Sequence, residues 1–205
     1  IGYLEGFYYR PRIDDELLRE HQEGLIVLSG CPNAKIPRLI SEGRLEDAIN
    51  KAKWYKEIFP ERFYLELQEH AHIPELPAIN KGLISISKTL DIPIVATNDS
   101  HYTTIEEAPY QDLRICISTN ATIHDPRRLK MEDNSFYLKS SIEMAKLFSE
   151  LPEALTNTQL IAEMCQTTIQ FGEMHLPSYP IPNGSDADTF LAEICWTGLE
   201  KLYKS

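Results

Sequence analysis

Three short apolar runs, each closing on residues able to do chemistry, organise the first half of this chain. Leu25-Ile26-Val27-Leu28-Ser29 leads into Gly30-Cys31, Phe63-Tyr64-Leu65-Glu66-Leu67 leads into Gln68-Glu69-His70, and Ile92-Pro93-Ile94-Val95-Ala96 leads into Thr97-Asn98-Asp99-Ser100-His101-Tyr102. Their length and β-branched or aromatic content predict strands bounded by polar turns. Before the first run, Asp14 and Asp15 open a short helical stretch through Glu20. Between the first two, Glu46–Phe59 spaces Ala48, Ile49, Ala52, Trp54, Tyr55 and Phe59 for an amphipathic helix that stops at Pro60. Trp54 and Tyr55 read as packing residues against the sheet. A second helix is predicted near Ile79–Leu90. Strand, helix, strand, helix, strand at these intervals implies parallel βαβ units, and so an α/β fold.

The strand ends are where chemistry collects. In a parallel barrel, functional residues gather at the C-terminal ends of the strands. Cys31, His70, Asp99 and His101 sit at those ends and are expected to converge on one rim. If extended geometry persists past Ala96, Asp99 and His101 point the same way, because side chains alternate faces. A thiolate, imidazoles and a carboxylate form a zinc-type set, or a mixed site for another first-row divalent ion. An isolated Asp-x-His is more often a turn acid beside a solvated imidazole; the two other strand ends carrying ligand-type residues favour the site. Tyr64, Glu66, Gln68 and His70 share one face of their strand. On a half-exposed strand that face meets water, whereas on a barrel strand it lines the rim.

Charge and composition narrow the partners. The 205 residues carry a formal net charge of −11, the wrong sign for a chain whose main task is gripping phosphates. Arg127-Arg128-Leu129-Lys130 reads as a solvated loop. No apolar run approaches the ~20 residues needed to span a bilayer, and no signal-peptide pattern opens the chain. Cys31, Cys116, Cys165 and Cys195 form no CxxC pair; reduced thiols and a cytoplasmic location follow, with the last three in helical patterns that favour burial.

Past Tyr102 the strand signal fades. Glu106–Ile117, Ser141–Ser149 with Ser140/Ser141 and Glu143 as a cap, and Pro152–Gln166 read as helices. Leu176–Gly184 contains Pro177, Pro180 and Pro182 and reads as a linker. Asp186 and Asp188 then introduce a helix over Ala187–Tyr203.

Several motifs in one order carry a resemblance. They are Glu5-Gly6-Phe7-Tyr8-Tyr9-Arg10-Pro11-Arg12-Ile13-Asp14, Leu28-Ser29-Gly30-Cys31, Trp54-Tyr55-Lys56-Glu57, Tyr64-Leu65-Glu66-Leu67-Gln68-Glu69-His70 and Ala96-Thr97-Asn98-Asp99-Ser100-His101-Tyr102. Phe136-Tyr137-Leu138-Lys139-Ser140, Leu151–Thr158 and Leu176-Pro177-Ser178-Tyr179-Pro180 continue them. Together they resemble the later part of the N-terminal PHP (polymerase and histidinol phosphatase) domain in the bacterial replicative DNA polymerase III alpha-subunit family. The resemblance implies a partial parallel βα barrel followed by helices and a linker. Residues 1–175 would be the C-terminal portion of the PHP domain, and 176–205 the linker and first helix toward the polymerase palm.

By that resemblance the late metal ligands map onto Cys31, Asp99 and His101, with His70 and Glu66 as weaker carry-overs. The family's His-x-His motif and further early ligands are not in this chain. Pro32-Asn33-Ala34-Lys35 replaces a stretch that commonly carries Gly and Glu, and His72 looks like part of a small insertion. The implied cofactors are a divalent ion (Zn or Mn) at the PHP site and Mg for the parent polymerase. The implied partners are the remainder of the alpha subunit, DNA through the parent enzyme, and other replisome subunits. On this reading the region is scaffold with part of a metal site and is inactive alone, while DNA-directed DNA synthesis, a nucleotidyl transfer, belongs to the whole subunit. Two alternatives stay open: an autonomous PHP-like metal-dependent phosphoesterase, and a purely structural module.

Overall fold

A three-stranded parallel sheet, with Phe63–Leu67 at its centre between Val27–Leu28 and Ile94–Ala96, organises the larger part of the computed structural model. The structure describes residues 1–131, 133–174 and 176–203, apart from the side chain of Asn183. The strands are β3 (Val27–Leu28), β4 (Phe63–Leu67) and β5 (Ile94–Ala96), and a short antiparallel hairpin, β1 (Phe7–Tyr8) with β2 (Arg10–Pro11), precedes them. The helices are α1 (Asp15–Glu20), α2 (Lys35–Ser41), α3 (Leu45–Ile58), α4 (Leu76–Leu90), α5 (Ala108–Thr119), α6 (Ser141–Leu147), α7 (Pro152–Met164) and α8 (Ala187–Tyr203). The chain forms two compact units, Ile1–Gln166 and Thr167–Ser205. The boundary expected at residue 175 falls outside the described residues.

The expected α/β order holds, and the parallel sheet with its helical crossovers matches a partial barrel. Phe63, Leu65 and Leu67 of β4 join one apolar cluster with Ile36 and Leu39 of α2, Ala48 and Ala52 of α3, and Ile79, Leu83 and Ile86 of α4. Burying such side chains stabilises by roughly 1.5–3 kcal/mol each before the entropy cost of ordering them. Tyr55 stacks on Phe63 at 5.0 Å and Lys51 lies 3.7 Å from the Trp54 ring centre, so both aromatics pack as expected. The α2–α4 contact is tight enough that a Cβ on Gly82 would sit 2.6 Å from the Ile40 side chain.

Local signals account for several boundaries. Asp14 accepts from the amides of Glu16 and Leu17 to cap α1. Ser140 and Glu143 form a reciprocal capping box at α6. The third strand run shortens, because Pro93 enters it and the chain turns out of extended geometry before Asp99. Helix α2 answers to no sequence expectation; Pro37 falls in its first turn, where a missing amide costs least. Burial of Cys165 and Cys195 is corrected: both are exposed, while Cys116 is buried, and all four thiols are free. Cys165 lies at the C-cap of α7 and so escapes the packed face. No helix among the described residues is long and apolar enough to cross a membrane.

Candidate metal and strand-end site

The polar face of β4 turns inward. Gln68 and His70 are 3% and 2% exposed, and Tyr64 is buried beside the sulfur of Met164. The half-exposed alternative therefore fails for this strand. Glu66 becomes a latch across three strand ends. Its carboxylate accepts from the Gly30 amide at 3.1 Å, from Gln68 Nε2 at 3.0 Å and from the Thr97 hydroxyl. In turn the Ser29 hydroxyl accepts from the Glu66 amide at 2.8 Å. Gly30 takes a φ of 81° at this junction and a Cβ there would meet Ala34 at 2.8 Å, so glycine lets the chain turn directly from the latch into Cys31.

Cys31, Asp99 and His101 line one open cavity of about 650 Å³ together with Arg38, Gln68 and Lys130. Asp99 and His101 approach to 3.5 Å between Oδ1 and Nε2. They meet by a route other than strand alternation. The strand stops at Ala96, Asp99 adopts a left-handed φ of 48°, and the His101 amide donates to the Phe136 carbonyl at 2.7 Å. A kink and an anchor bring the pair together.

His70 lies apart from that cavity's lining. Its ring stacks on Phe136 at 4.2 Å, Nδ1 is 2.6 Å from the Ser135 hydroxyl, and buried Nε2 has no partner among the described residues. Burial, and then the nearby Lys139 ammonium, lower its pKa, so the imidazole is neutral near pH 7. A metal on the described residues needs three or more donors around one point. No such group of His, Cys, Asp and Glu exists among them. The ligand set therefore does not fit an ion unaided, and the shared cavity holds only part of what coordination requires.

A strap that composition did not single out holds the Asp99–His101 loop. Residues 133–139 run beside residues 98–102, with a parallel bridge between Tyr102 and Tyr137. Asn98 Nδ2 donates to the carbonyls of Ser135 (2.9 Å) and Tyr137 (2.5 Å), and Lys139 Nζ donates to Asn98 Oδ1 and, at 2.5 Å, to Ser135 O. Burial lowers the Lys139 pKa. Asp133 anchors the other end, accepting from the His72 amide (2.9 Å), His72 Nδ1 (3.0 Å) and the Ser135 amide (2.7 Å). Burial pushes its carboxyl up, but these bonds outweigh that and bring the pKa down from 3.8 to about 2. Isolated polar residues with no hydrophobic period gave no sign of this strap; only the Phe136–Ser140 motif pointed to the segment.

The basic cluster is largely neutralised or solvated. Arg128 makes a two-pronged pair with Asp112, while Arg127 is exposed.

A PHP domain model matches residues 1–70. Over 207 residues the chain is 47% identical to DNA polymerase III subunit alpha of Borreliella burgdorferi, covering all of this chain. It is 40% identical to the Treponema pallidum protein of the same name and 37% identical to that of Thermus aquaticus, each over 98% of this chain. Along essentially its whole length the chain is similar to DNA polymerase III alpha subunits. It spans 17–18% of the length of these relatives, so it corresponds to a segment of such a subunit and carries a PHP domain match. Glu66 and the Asp133–Lys139 strap fix the strand-end loops of this chain.

Proposed function

We propose that this chain is the PHP scaffold segment of a bacterial replicative polymerase, with DNA-directed DNA synthesis residing in the whole subunit. The carrying observation is the match to alpha subunits along essentially the whole chain at 37–47% identity. Residues 1–175 are read as PHP domain and 176–205 as the connection toward the polymerase region. Cys31, Asp99 and His101 are read as this segment's share of a divalent-metal site, because they line one cavity at the strand ends; Zn and Mn suit the thiolate and imidazole donors. His70, whose Nε2 has no partner among the described residues, is the weaker fourth candidate. Mg would serve the polymerase centre elsewhere in the subunit, and DNA and other replisome subunits would be met there.

A chimera tests the reading. This chain would replace the matching segment of the Borreliella-type alpha subunit, and the purified chimera would be assayed for primer extension with Mg²⁺. The expected result is retained extension. A folded, soluble chimera without extension would overturn it.

A further inference from the structure

Two buried amide oxygens behind the strand ends meet no donor. Gln68 is 3% exposed, and neither its Oε1 nor the buried Oδ1 of Asn80 on α4 has a hydrogen-bond partner among the described residues. The amide nitrogens fix which way both groups face. Asn80 Nδ2 donates to the Gln68 carbonyl at 2.7 Å, and Gln68 Nε2 donates to the Glu66 carboxylate at 3.0 Å. Flipping either amide would break its bond and bury an N–H in place of the oxygen. A buried acceptor of this kind is costly unless something completes it.

Glu66, Gln68 and Asn80 border one narrow cavity between the ends of β3 and β4 and the helices α2 and α4. No water-sized sphere fits inside it, and its other lining residues carry no side-chain donor. The adjoining backbone adds none: Pro32 and Pro37 lack an N–H, and the Gly30 amide is bound to Glu66 at 3.1 Å. Glu66 brings the single charge of the lining. Its carboxylate accepts three bonds and keeps a further lone-pair site. Cys31, Asp99 and His101 border the larger cavity and not this one.

We propose that Glu66, Gln68 and Asn80 bind a sodium ion, held by the carboxylate and the two amide oxygens, which ties α4 to the strand ends. Oxygen donors suit hard cations rather than zinc-like ones. One carboxylate balances one positive charge. Mg²⁺ keeps its waters in an octahedral shell and Ca²⁺ takes about 6–8 oxygens, and this space has room for neither. A potassium ion is close to a water molecule in size, so a cavity closed to a water-sized sphere selects the smaller sodium ion. The proposal is independent of the polymerase reading, which the chimera tests separately.

The test uses the full 205-residue chain. Urea unfolding is followed by circular dichroism in NaCl, KCl or choline chloride at one ionic strength, which holds general screening constant. NaCl should favour folding over choline chloride in a saturable way, by about elevenfold in the folding constant at ten times the dissociation constant. KCl should give a smaller gain. Asn80→Leu should abolish the sodium-specific gain, whereas Asn50→Asp, at an exposed position of α3, should leave it unchanged. The sodium magnetic resonance line should broaden on adding folded wild-type chain and sharpen when urea unfolds it. Equal stability in NaCl and choline chloride would overturn the proposal and assign the two oxygens to water. Equal gains from NaCl and KCl, or a folded Asn80→Leu chain that keeps the sodium gain, would overturn it as well. A sodium line indifferent to folding would do the same, even where the Leu variant does not fold.

Discussion

Replacing Asp133 by Asn should destabilise the larger unit by about 2–3 kcal/mol at pH 7, and that loss should fade in acid. The side chain is 6% exposed, and its carboxyl is held at about 2 against an ordinary 3.8. That displacement corresponds to about 2–3 kcal/mol of preference for the charged form in the folded chain. A carboxyl whose folded pKa lies below its unfolded value stabilises the fold above the unfolded pKa. It loses that contribution as pH falls toward the folded one. The difference between wild type and Asp133→Asn should therefore be constant from pH 7 to 5, fall to roughly half at pH 3, and approach zero only below pH 2. Other carboxylates titrate alike in both proteins and cancel in the difference. Urea unfolding at each pH, followed by far-ultraviolet circular dichroism, measures it. A difference below about 0.5 kcal/mol at pH 7, or one that stays flat down to pH 3, would refute the buried-anchor reasoning. His72→Ala supplies an internal check: its side chain is 76% exposed, so losing that prong should cost under about 1 kcal/mol while the backbone bonds to Asp133 persist.

Further outcomes follow from the same geometry. Lys139→Met removes the bonds from Nζ to Asn98 Oδ1 and Ser135 O; hydrogen exchange at the His101 amide should accelerate, and the stability loss should be about 1–3 kcal/mol. Phe59→Ala, at a fully buried ring, should cost about 3–5 kcal/mol in urea unfolding. Gly82→Ala should destabilise despite alanine's better helix propensity of about 1 kcal/mol, because its Cβ would press on Ile40 at 2.6 Å; pairing it with Ile40→Ala should recover part of the loss in a double-mutant cycle. Because no three donors of the described residues surround one point, the isolated chain should retain less than one equivalent of Zn²⁺ after dialysis, as read by elemental analysis.

The framework of the larger unit was legible where hydrophobic period and punctuation agreed. Helix α3 stops where Pro60 requires, Ser140 and Glu143 start α6, and β4 keeps Phe63, Leu65 and Leu67 on the helix-facing side. In the smaller unit α8 spans Ala187–Tyr203 as its acidic start implied. The site was legible only in its residue types. Cys31, Asp99 and His101 do share a cavity, but the path that brings Asp99 to His101 is a left-handed turn held by a remote carbonyl. A local pattern cannot encode that contact, because the partner Phe136 lies beyond a helix and a loop. Glu66 shows the same limit. Its spacing marked it as a rim acid, yet whether it meets an ion, water or three neighbouring donors depends on where the ends of β3 and β5 fall. Gln68 and His70 were ambiguous for a related reason: alternation says which residues share a face, and packing alone decides whether that face is wet.

Primer extension by the isolated chain tests the central claim most directly. Two-metal nucleotidyl transfer needs ions roughly 3.5–4 Å apart clamped by several carboxylates. Asp186, which accepts from the amides of Asp188 and Thr189, is occupied in starting α8. With a primed template, all four deoxynucleoside triphosphates and either Mg²⁺ or Mn²⁺, the purified 205-residue chain should incorporate no nucleotide. Extension that copurifies with the chain, and that disappears on substituting Asp99, Asp186 or Asp188, would contradict the assignment of synthesis to the whole subunit.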